Sequence, residues 1–265
     1  MAGGLLIITP SRDPYFNMAM DEWLFDRVCR GIWADFAILR IYSWSVPAIT
    51  IGYNQNSAKA VDWALMKLEW PIIRRVTGGR AIFHESNEIT FSLTANLCLF
   101  PDSGRTLSQA NSLISEAVVK ALREFGVMAE WARSSDINGL PDSNSIARAC
   151  FNSITKYEII SNGVKIAGGA QRRKGESLIH QGSIKLFGVS VCLPISQKPI
   201  FSGLSSGNED NHLDLIKLKR FSAFLADALS EKMGLKFRET VLDTAQESEI
   251  IGGSVELRAH TLEKR

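Results

Sequence analysis

ACFNSITKYEIISNGVKIAGGAQRR, residues 149–173, is the stretch of sequence that decides the fold. Residues 157–161 and 164–167 are rich in the β-branched and aromatic residues typical of strands. Asn162-Gly163 stands between them, and this dipeptide suits a type I′ turn, in which both central residues have positive φ. The stretch therefore predicts a β-hairpin.

The same stretch brings three chemical groups close together along the chain. It offers a thiol at Cys150, an amine at Lys165 on the second predicted strand, and the segment Gly168-Gly-Ala-Gln171, where a backbone can approach a ligand closely. These are the groups needed to accept an acyl group as a thioester and to pass it on. Taken singly, a cysteine is more often a small apolar core residue and a strand lysine is more often a solvated charge.

The composition is that of a folded domain without a nucleic-acid or membrane signature. Of 265 residues, 45% are apolar and 22% are charged, enough for one large domain or one domain with a small appendage. A net charge of +2 does not favour nucleic-acid binding, and no apolar run reaches the length of a membrane helix. The N-terminus lacks the basic start of a signal peptide, and the four cysteines form no CxxC pair, so we expect a cytoplasmic protein that binds no metal.

Periodicity and turn residues predict an α+β fold with a mixed, mostly antiparallel sheet flanked by helices. Strands are expected at residues 5–8, 37–44, 48–53, 72–76, 81–84, 88–93, 129–131, 157–161, 164–167 and 177–187. Strands 37–44 and 48–53 are predicted to pair around Pro47, and Thr77–Arg80 is predicted as a tight turn between two strands. Helices are expected from Asp13-Pro14 onward and at residues 61–68, 106–125 and 213–233.

Two segments stand apart from these elements. Residues 133–148 are rich in Ser, Asp, Asn, Gly and Pro, and the segment up to residue 149 is a candidate lid. We expect residues 1–240 to form one domain and residues 241–265 to form a tail that is either a short helix or disordered.

Three ordered blocks give a resemblance to a known family. They are Asn17-Met-Ala-Met-Asp-Glu22; Pro47–Gln55 together with Arg74-Arg-Val-Thr-Gly-Gly-Arg-Ala-Ile-Phe-His84; and Tyr157–Gln171 together with His180-Gln-Gly-Ser-Ile184. The chain resembles the catalytic domain of the biotin/lipoate protein ligase superfamily, which has a class II synthetase-like fold. Because Cys150-Phe151 comes just before the Tyr157-Glu158 strand, it looks most like the cysteine-dependent octanoyltransferases of that superfamily.

The resemblance implies a reaction and a set of site residues. Cys150 would carry octanoate as a thioester, and Lys165 would favour the thiolate or hold the acyl carbonyl. Further residues are implied as substrate-binding: Arg74, Gly78, Gly79 and His84 along the acyl channel, and Gly168, Gly169 and Gln171 around the oxyanion. The implied partners are acyl carrier protein as donor and a lipoyl domain as acceptor, as in the glycine-cleavage H protein or the E2 of 2-oxoacid dehydrogenases.

Three alternatives remain open at this stage. The first is an ATP-dependent lipoate-protein ligase, which would need ATP and Mg²⁺, whereas octanoyl transfer from a thioester needs no cofactor. The second is an octanoyl amidotransferase between two lipoyl domains. The third is a non-catalytic relative that binds an acylated carrier without turnover.

Overall fold

The computed structural model describes residues 2–60, 70–132, 158–186 and 213–262. Its strands are β1 Gly3–Arg12, β2 Phe36–Trp44, β3 Ala48–Ile51, β4 Ile72–Arg74, β5 Ile82–His84, β6 Ile89–Asn96, β7 Glu130–Trp131, β8 Ile159–Ser161, β9 Val164–Lys174, β10 Ser177–Ile184 and β11 Phe237–Glu239. Its α-helices are α1 Pro14–Cys29, α2 Ser57–Ala60, α3 Leu107–Phe125, α4 Leu215–Met233 and α5 Thr244–Leu262, with 3-10 turns at Leu97–Leu99 and Asp102–Gly104.

A large and a small sheet organise these elements. The large sheet has the order β11-β1-β2-β6-β10-β9-β8-β7, and the small sheet has the order β4-β3-β5. In the large sheet β1 is parallel to both of its neighbours, and every other pair is antiparallel. The α+β prediction with a mixed, mostly antiparallel sheet is therefore confirmed.

One predicted strand pairing is wrong. Strands β2 and β3 do not pair around Pro47, because β2 lies between β1 and β6 in the large sheet while β3 is the centre of the small one. Thr77–Arg80 does lie between two strands, β4 and β5, but these strands pair with β3 on either side and not with each other. Short-range sequence signals predicted most strands but, apart from the hairpin at Asn162-Gly163, not their partners, since pairing is decided by long-range packing.

The two faces of the large sheet differ in chemistry. On one face alternate residues of β2, β6 and β10 pack with α3 and α4 in the main apolar core, including Leu39, Phe91 and Leu178. The residues between them point to the other face, which carries α1 and a set of buried polar side chains including Arg40, Ser92 and Gln181. We call these the core face and the polar face.

Capping residues fix the ends of the helices. Asp13 accepts hydrogen bonds from the first turn of α1, with Pro14 at the first helical position, as predicted. A capping box of Thr106 and Gln109 begins α3, and Gly126 ends it with a φ of 103°.

The tail residues 241–265 contain the 19-residue helix α5, which packs on α1 and buries Ile250. The predicted helix at residues 61–68 and the candidate lid at residues 133–149 lie outside the described residues. Within the described ranges, no helix is both long and apolar enough to cross a membrane.

Candidate active site

The hairpin predicted from Asn162-Gly163 is present and has the expected turn. Asn162 has a φ of 50° and Gly163 a φ of 75°, the signs that a type I′ turn requires. Ile160 pairs with Lys165 but Ile159 pairs with Ala167, so β9 contains one extra residue at this point. Such a β-bulge can change the direction of a side chain. Here it allows Ile166 and Ala167 both to enter the apolar core while Lys165 does not.

Lys165 is buried and paired with a carboxylate that the sequence did not mark as functional. Its Nζ donates to Oε1 of Glu158 at 2.6 Å, and the two side chains are only 3% and 12% exposed. A buried ammonium is costly unless it is paired and hydrogen-bonded, so Glu158 compensates for burial of the lysine.

Gly168 lies directly against the end of this lysine. A Cβ at position 168 would be 3.1 Å from Cε and 3.4 Å from Nζ of Lys165. Gly168 is opposite Ser183 on β10, whose hydroxyl donates to Glu88, so the lysine end lies on the polar face.

Gly169 and Gln171 belong to the opposite face. A Cβ at position 169 would be 2.3 Å from Nε2 of His180, so the imidazole takes the place of a side chain there. The Gln171 amide lies 3.0 Å from Nδ1 of His180 and, with its oxygen toward the ring, its nitrogen donates to the carbonyl of Leu107 in α3. Burial lowers the pKa of His180 to about 3. The side chain of Gln171 therefore points away from Lys165, and only its backbone shares an edge with Gly168.

Beyond Ala167, this edge of β9 has no strand partner within the described part of the chain. Strand β8 pairs with β9 only as far as Ala167, so from Gly168 onward none of the described strands covers the β8 side of β9. A strand edge presents N–H and C=O groups that a substrate oxygen can meet.

The predicted turn at Gly78-Gly79 packs against both β9 and the end of β3. Gly79 has a φ of 86°, and a Cβ there would be 3.3 Å from Cβ of Ala170 on the polar face. A Cβ at Gly52 would be only 2.0 Å from the carbonyl oxygen of Gly79. The two loops thus pack backbone against backbone, next to the strand that carries Lys165.

Arg74 organises the first of these loops. Its Nη1 donates to the carbonyls of Gly52, Tyr53 and Gln55 at 2.8–2.9 Å. Through these hydrogen bonds the Arg74 guanidinium fixes the backbone of the loop that forms one wall of the site.

Arg75, which was not predicted as a site residue, holds the second loop in place, the one that contains Gly78 and Gly79. It is 3% exposed and donates to Oγ1 of Thr77 and to the carbonyls of Gly78 and Arg80. The sequence signal for this role was an arginine next to a Gly-Gly turn, because the backbone carbonyls of a turn need hydrogen-bond donors.

His84 is locked into a buried network. Its Nε2 is 2.8 Å from Oγ1 of Thr50, its Nδ1 is 2.7 Å from Oε1 of Glu88, and its ring stacks on Trp44. Burial lowers the pKa of His84, with Glu88 opposing the shift. Both ring nitrogens have protein partners, so the structure gives His84 a supporting role beside the site.

Glu88 is the charge at the centre of this network. It accepts from Thr90, Ser183 and Lys185. Its pKa is lowered to about 2, because the Lys185 cation and the His84 contact outweigh its burial. The carboxylate is therefore ionised at neutral pH.

Asp21 ties the second loop to helix α1. This fully buried carboxylate accepts from Arg40, Tyr42, Ser92 and Gln181 at 2.6–2.8 Å. Gln181 in turn accepts from the hydroxyl of Thr77 at 2.6 Å. The Asn17–Glu22 block thus contributes a hydrogen-bonded support beneath the Gly78-Gly79 turn.

The structure brings together Lys165, Gly168, Gly78 and Gly79 on the polar face, with Arg74 and His84 behind them. Cys150 lies outside the described residues. Among the residues that are described, no three His, Cys, Asp or Glu side chains form a metal-binding group.

Comparison with known proteins identifies the family. The sequence profile of the lipoyl protein ligase A/B catalytic domain matches residues 13–191. The chain belongs to this family. The matched region contains every predicted site residue and stops before α4 and α5.

Curated relatives of this lipoyl protein ligase A/B family member carry the name octanoyltransferase LipM. The one from Kyrpidia tusciae is 34% identical over 68% of this chain and 65% of its own length, so the chain spans just under two thirds of that relative. The one from Exiguobacterium sp. is 30% identical over 92% of both chains.

A solved structure shares the fold. The bi-partite lipoate protein ligase from Thermoplasma acidophilum, studied with its E2 lipoyl domain, superposes with a TM-score of 0.68 at 19% identity, over 97% of this chain and 93% of that one. At this identity the likeness concerns the fold alone.

Proposed function

We propose that this protein is an octanoyltransferase of lipoate biosynthesis that carries octanoate as a thioester on Cys150 and delivers it to a lysine of a lipoyl domain. The observation that carries the proposal is the buried, carboxylate-held Lys165 against Gly168, at a strand edge that no described strand covers, in a chain whose curated relatives are named octanoyltransferases. The lysine contributes the cation that thioester chemistry on Cys150 needs.

The first half-reaction exchanges one thioester for another. The Cys150 thiolate attacks the carbonyl carbon of the octanoyl thioester, and the tetrahedral intermediate expels the thiolate of the donor, which takes up the proton that Cys150 lost. Nearby cations lower the pKa of a thiol and so increase the fraction of thiolate. A backbone N–H at this edge of β9 is suited to stabilise the developing oxyanion.

The second half-reaction forms an amide. The neutral ε-amine of the acceptor lysine attacks the Cys150 thioester, the C–S bond breaks, and the amine loses a proton as the cysteine thiolate leaves and is reprotonated. Neither half-reaction consumes ATP, because the energy of the amide bond comes from the donor thioester.

This chemistry requires an acyl thioester as donor and a lysine amine as acceptor. The donor is octanoyl-acyl carrier protein, and the acceptor is a lipoyl domain of an E2 subunit or of the H protein. Support for the acceptor comes from the Thermoplasma acidophilum ligase of the same fold, whose structure was studied with an E2 lipoyl domain. A reducing cytoplasm is the compartment in which a catalytic thiol stays available.

Intact-protein mass spectrometry tests the proposal. The protein is mixed with octanoyl-acyl carrier protein without ATP, and we expect a single octanoyl adduct that hydroxylamine removes. Cys150→Ala should give no adduct, whereas Cys98→Ala, which removes an exposed free thiol, should behave as wild type.

Three other results would each point to a different function. Octanoylation or lipoylation of the acceptor only with ATP and Mg²⁺ would indicate a ligase. An adduct from octanoyl-H protein but not from octanoyl-acyl carrier protein would indicate an amidotransferase. Binding of the acylated carrier without any adduct would indicate a non-catalytic relative.

A further inference from the structure

We infer that Glu158 is the positioning residue for Lys165: its carboxylate fixes the lysine ammonium against Gly168, where the acyl thioester is handled. The inference rests on the proposed function and adds to it a residue to which no role has been assigned.

The local backbone explains why these two side chains meet. The type I′ turn at Asn162-Gly163 sets the register of β8 and β9, and the bulge then rotates Lys165 relative to Ile166 and Ala167. Lys165 therefore leaves the apolar core and points toward Glu158, at the start of the same hairpin, where the Nζ–Oε1 distance is 2.6 Å.

The other buried carboxylates described on this face, Asp21 and Glu88, already have basic partners, and Asp21 is paired with Arg40. Glu88 holds Lys185 at 2.9 Å and accepts from His84 and Ser183. The polar face thus separates two Lys–Glu pairs, one supporting the wall of the site and one at Gly168. Because the first pair is compact and buried, Glu88 is not a replacement for Glu158.

The absence of a side chain at Gly168 lets the Lys165 ammonium lie close to the backbone of β9. A Cβ at residue 168 would contact both Cε and Nζ of Lys165 and would lie 4.0 Å from Oε1 of Glu158. The glycine lets the ion pair lie directly under the backbone of this strand edge. A lysine side chain has many rotamers, and the ion pair selects the one that places Nζ at this edge.

This geometry predicts a defect in rate with no defect in substrate binding. Misplacing a catalytic group by about 1 Å can cost about 100-fold in rate. We expect Glu158→Gln, which keeps the size and one acceptor oxygen but removes the charge, to slow octanoyl-adduct formation by about 10- to 100-fold. The KM for the acylated carrier should stay within about twofold, because Glu158 acts on the chemical step.

Glu158→Asp tests whether the length of the side chain matters when its negative charge is kept. It keeps the carboxylate but shortens the side chain by one methylene, so we expect a rate between those of Glu158→Gln and wild type. The matched control is Glu176→Gln, which removes an exposed carboxylate paired with Arg173 at the β9–β10 turn, and we expect it to leave the rate unchanged.

A double-mutant cycle distinguishes positioning from a general structural effect. If Glu158 acts through Lys165, then Lys165→Ala combined with Glu158→Gln will be no slower than Lys165→Ala alone. Multiplicative losses in the double variant would overturn the inference. If Glu158→Gln does not fold, the same cycle with Glu158→Asp decides, and wild-type rates for Glu158→Asp would overturn it.

Adduct formation by the wild-type protein distinguishes failure of this inference from failure of the proposed function. A wild-type protein that forms no adduct with any octanoyl thioester overturns both. A wild-type protein that forms the Cys150 adduct while Glu158→Gln forms it equally fast overturns the positioning role and leaves the octanoyltransferase intact.

Discussion

Replacing Gly52 with alanine would test whether the two loops beside the site must pack backbone against backbone. The new Cβ would lie 2.0 Å from the carbonyl oxygen and 2.9 Å from the carbonyl carbon of Gly79. Since ordinary contacts begin near 3.4 Å, the loops must separate by more than 1 Å. No side-chain rotation relieves this clash, because both partners are backbone.

The cost follows from the contacts that separation disturbs. The amide of Tyr53 donates to the carbonyl of Thr77 at 2.8 Å, and Arg74 holds the carbonyls on either side of Tyr53 in place. Overpacking costs about 1–3 kcal/mol, and a lost hydrogen bond costs about 1 kcal/mol. We expect Gly52→Ala to lower the free energy of unfolding by about 3 kcal/mol.

Urea unfolding followed by tryptophan fluorescence measures this loss, and the rate of octanoyl-adduct formation measures its effect on the site. Gly3→Ala is the matched control, because its Cβ would make only an ordinary contact of 3.7 Å with Phe36. Equal unfolding midpoints for the two variants would refute the packing argument.

Three further substitutions test other parts of the structure. Asp21→Asn breaks the fully buried pair with Arg40 and should cost about 3–5 kcal/mol in urea unfolding, whereas Asp26→Asn, at an exposed pair, should cost about 1 kcal/mol or less. The pKa of His180 falls from 6.5 to about 3 on folding, so the unfolded chain binds its proton first and stability is lost as pH falls from 6.5 toward 3. His180→Gln should remove about 3 kcal/mol of the stability loss between pH 7 and pH 4, and a slope equal to that of the wild type in this range would contradict the assignment. Gly252→Ala should raise the thermal midpoint, with a gain of about 0.5–1 kcal/mol, since Gly252 is inside α5 with no atom within 4 Å of the added Cβ; a lower midpoint would refute this.

The sequence predicted best what local chemistry decides. The hairpin at Asn162-Gly163, the capped start of α1 at Asp13-Pro14 and the end of α3 at Gly126 all depend on residues within a few positions of one another. Strand partners were harder, because β2 and β3 are separated by only three residues yet belong to different sheets. No local sequence feature distinguishes two strands that pair as a hairpin from two consecutive strands that belong to different sheets.

The site was predicted as a list of residues, but their arrangement was not predictable. Gly168 and Gly169 are adjacent and both were expected near the oxyanion, yet one lies against Lys165 and the other against His180 on the opposite face. Strand alternation separates neighbours in this way. The β-bulge that directs Lys165 toward Glu158 has no clear sequence signal, so the ion pair could be found only in the structure.

The division of the large sheet into two faces has a consequence for how substitutions should act. The core face holds the apolar side chains that pack with α3 and α4, so deletions there remove buried area and change stability. Among the described residues, the polar face holds the buried pairs Asp21–Arg40, Glu88–Lys185 and Glu158–Lys165, in which a carboxylate lies against a cation.

A buried pair contributes little net stability compared with apolar residues of the same size, but it fixes its members in one geometry. If the polar face served only the stability of the fold, three such pairs on it would add little to the free energy of unfolding. Their placement beneath the Gly78-Gly79 turn, behind His84 and beside Gly168 is what a face that must hold a reacting group in position requires. Within the described residues, Lys165 is the cation of these pairs that lies at a strand edge without a strand partner, and we therefore expect a small change in charge at its partner Glu158 to alter the rate most.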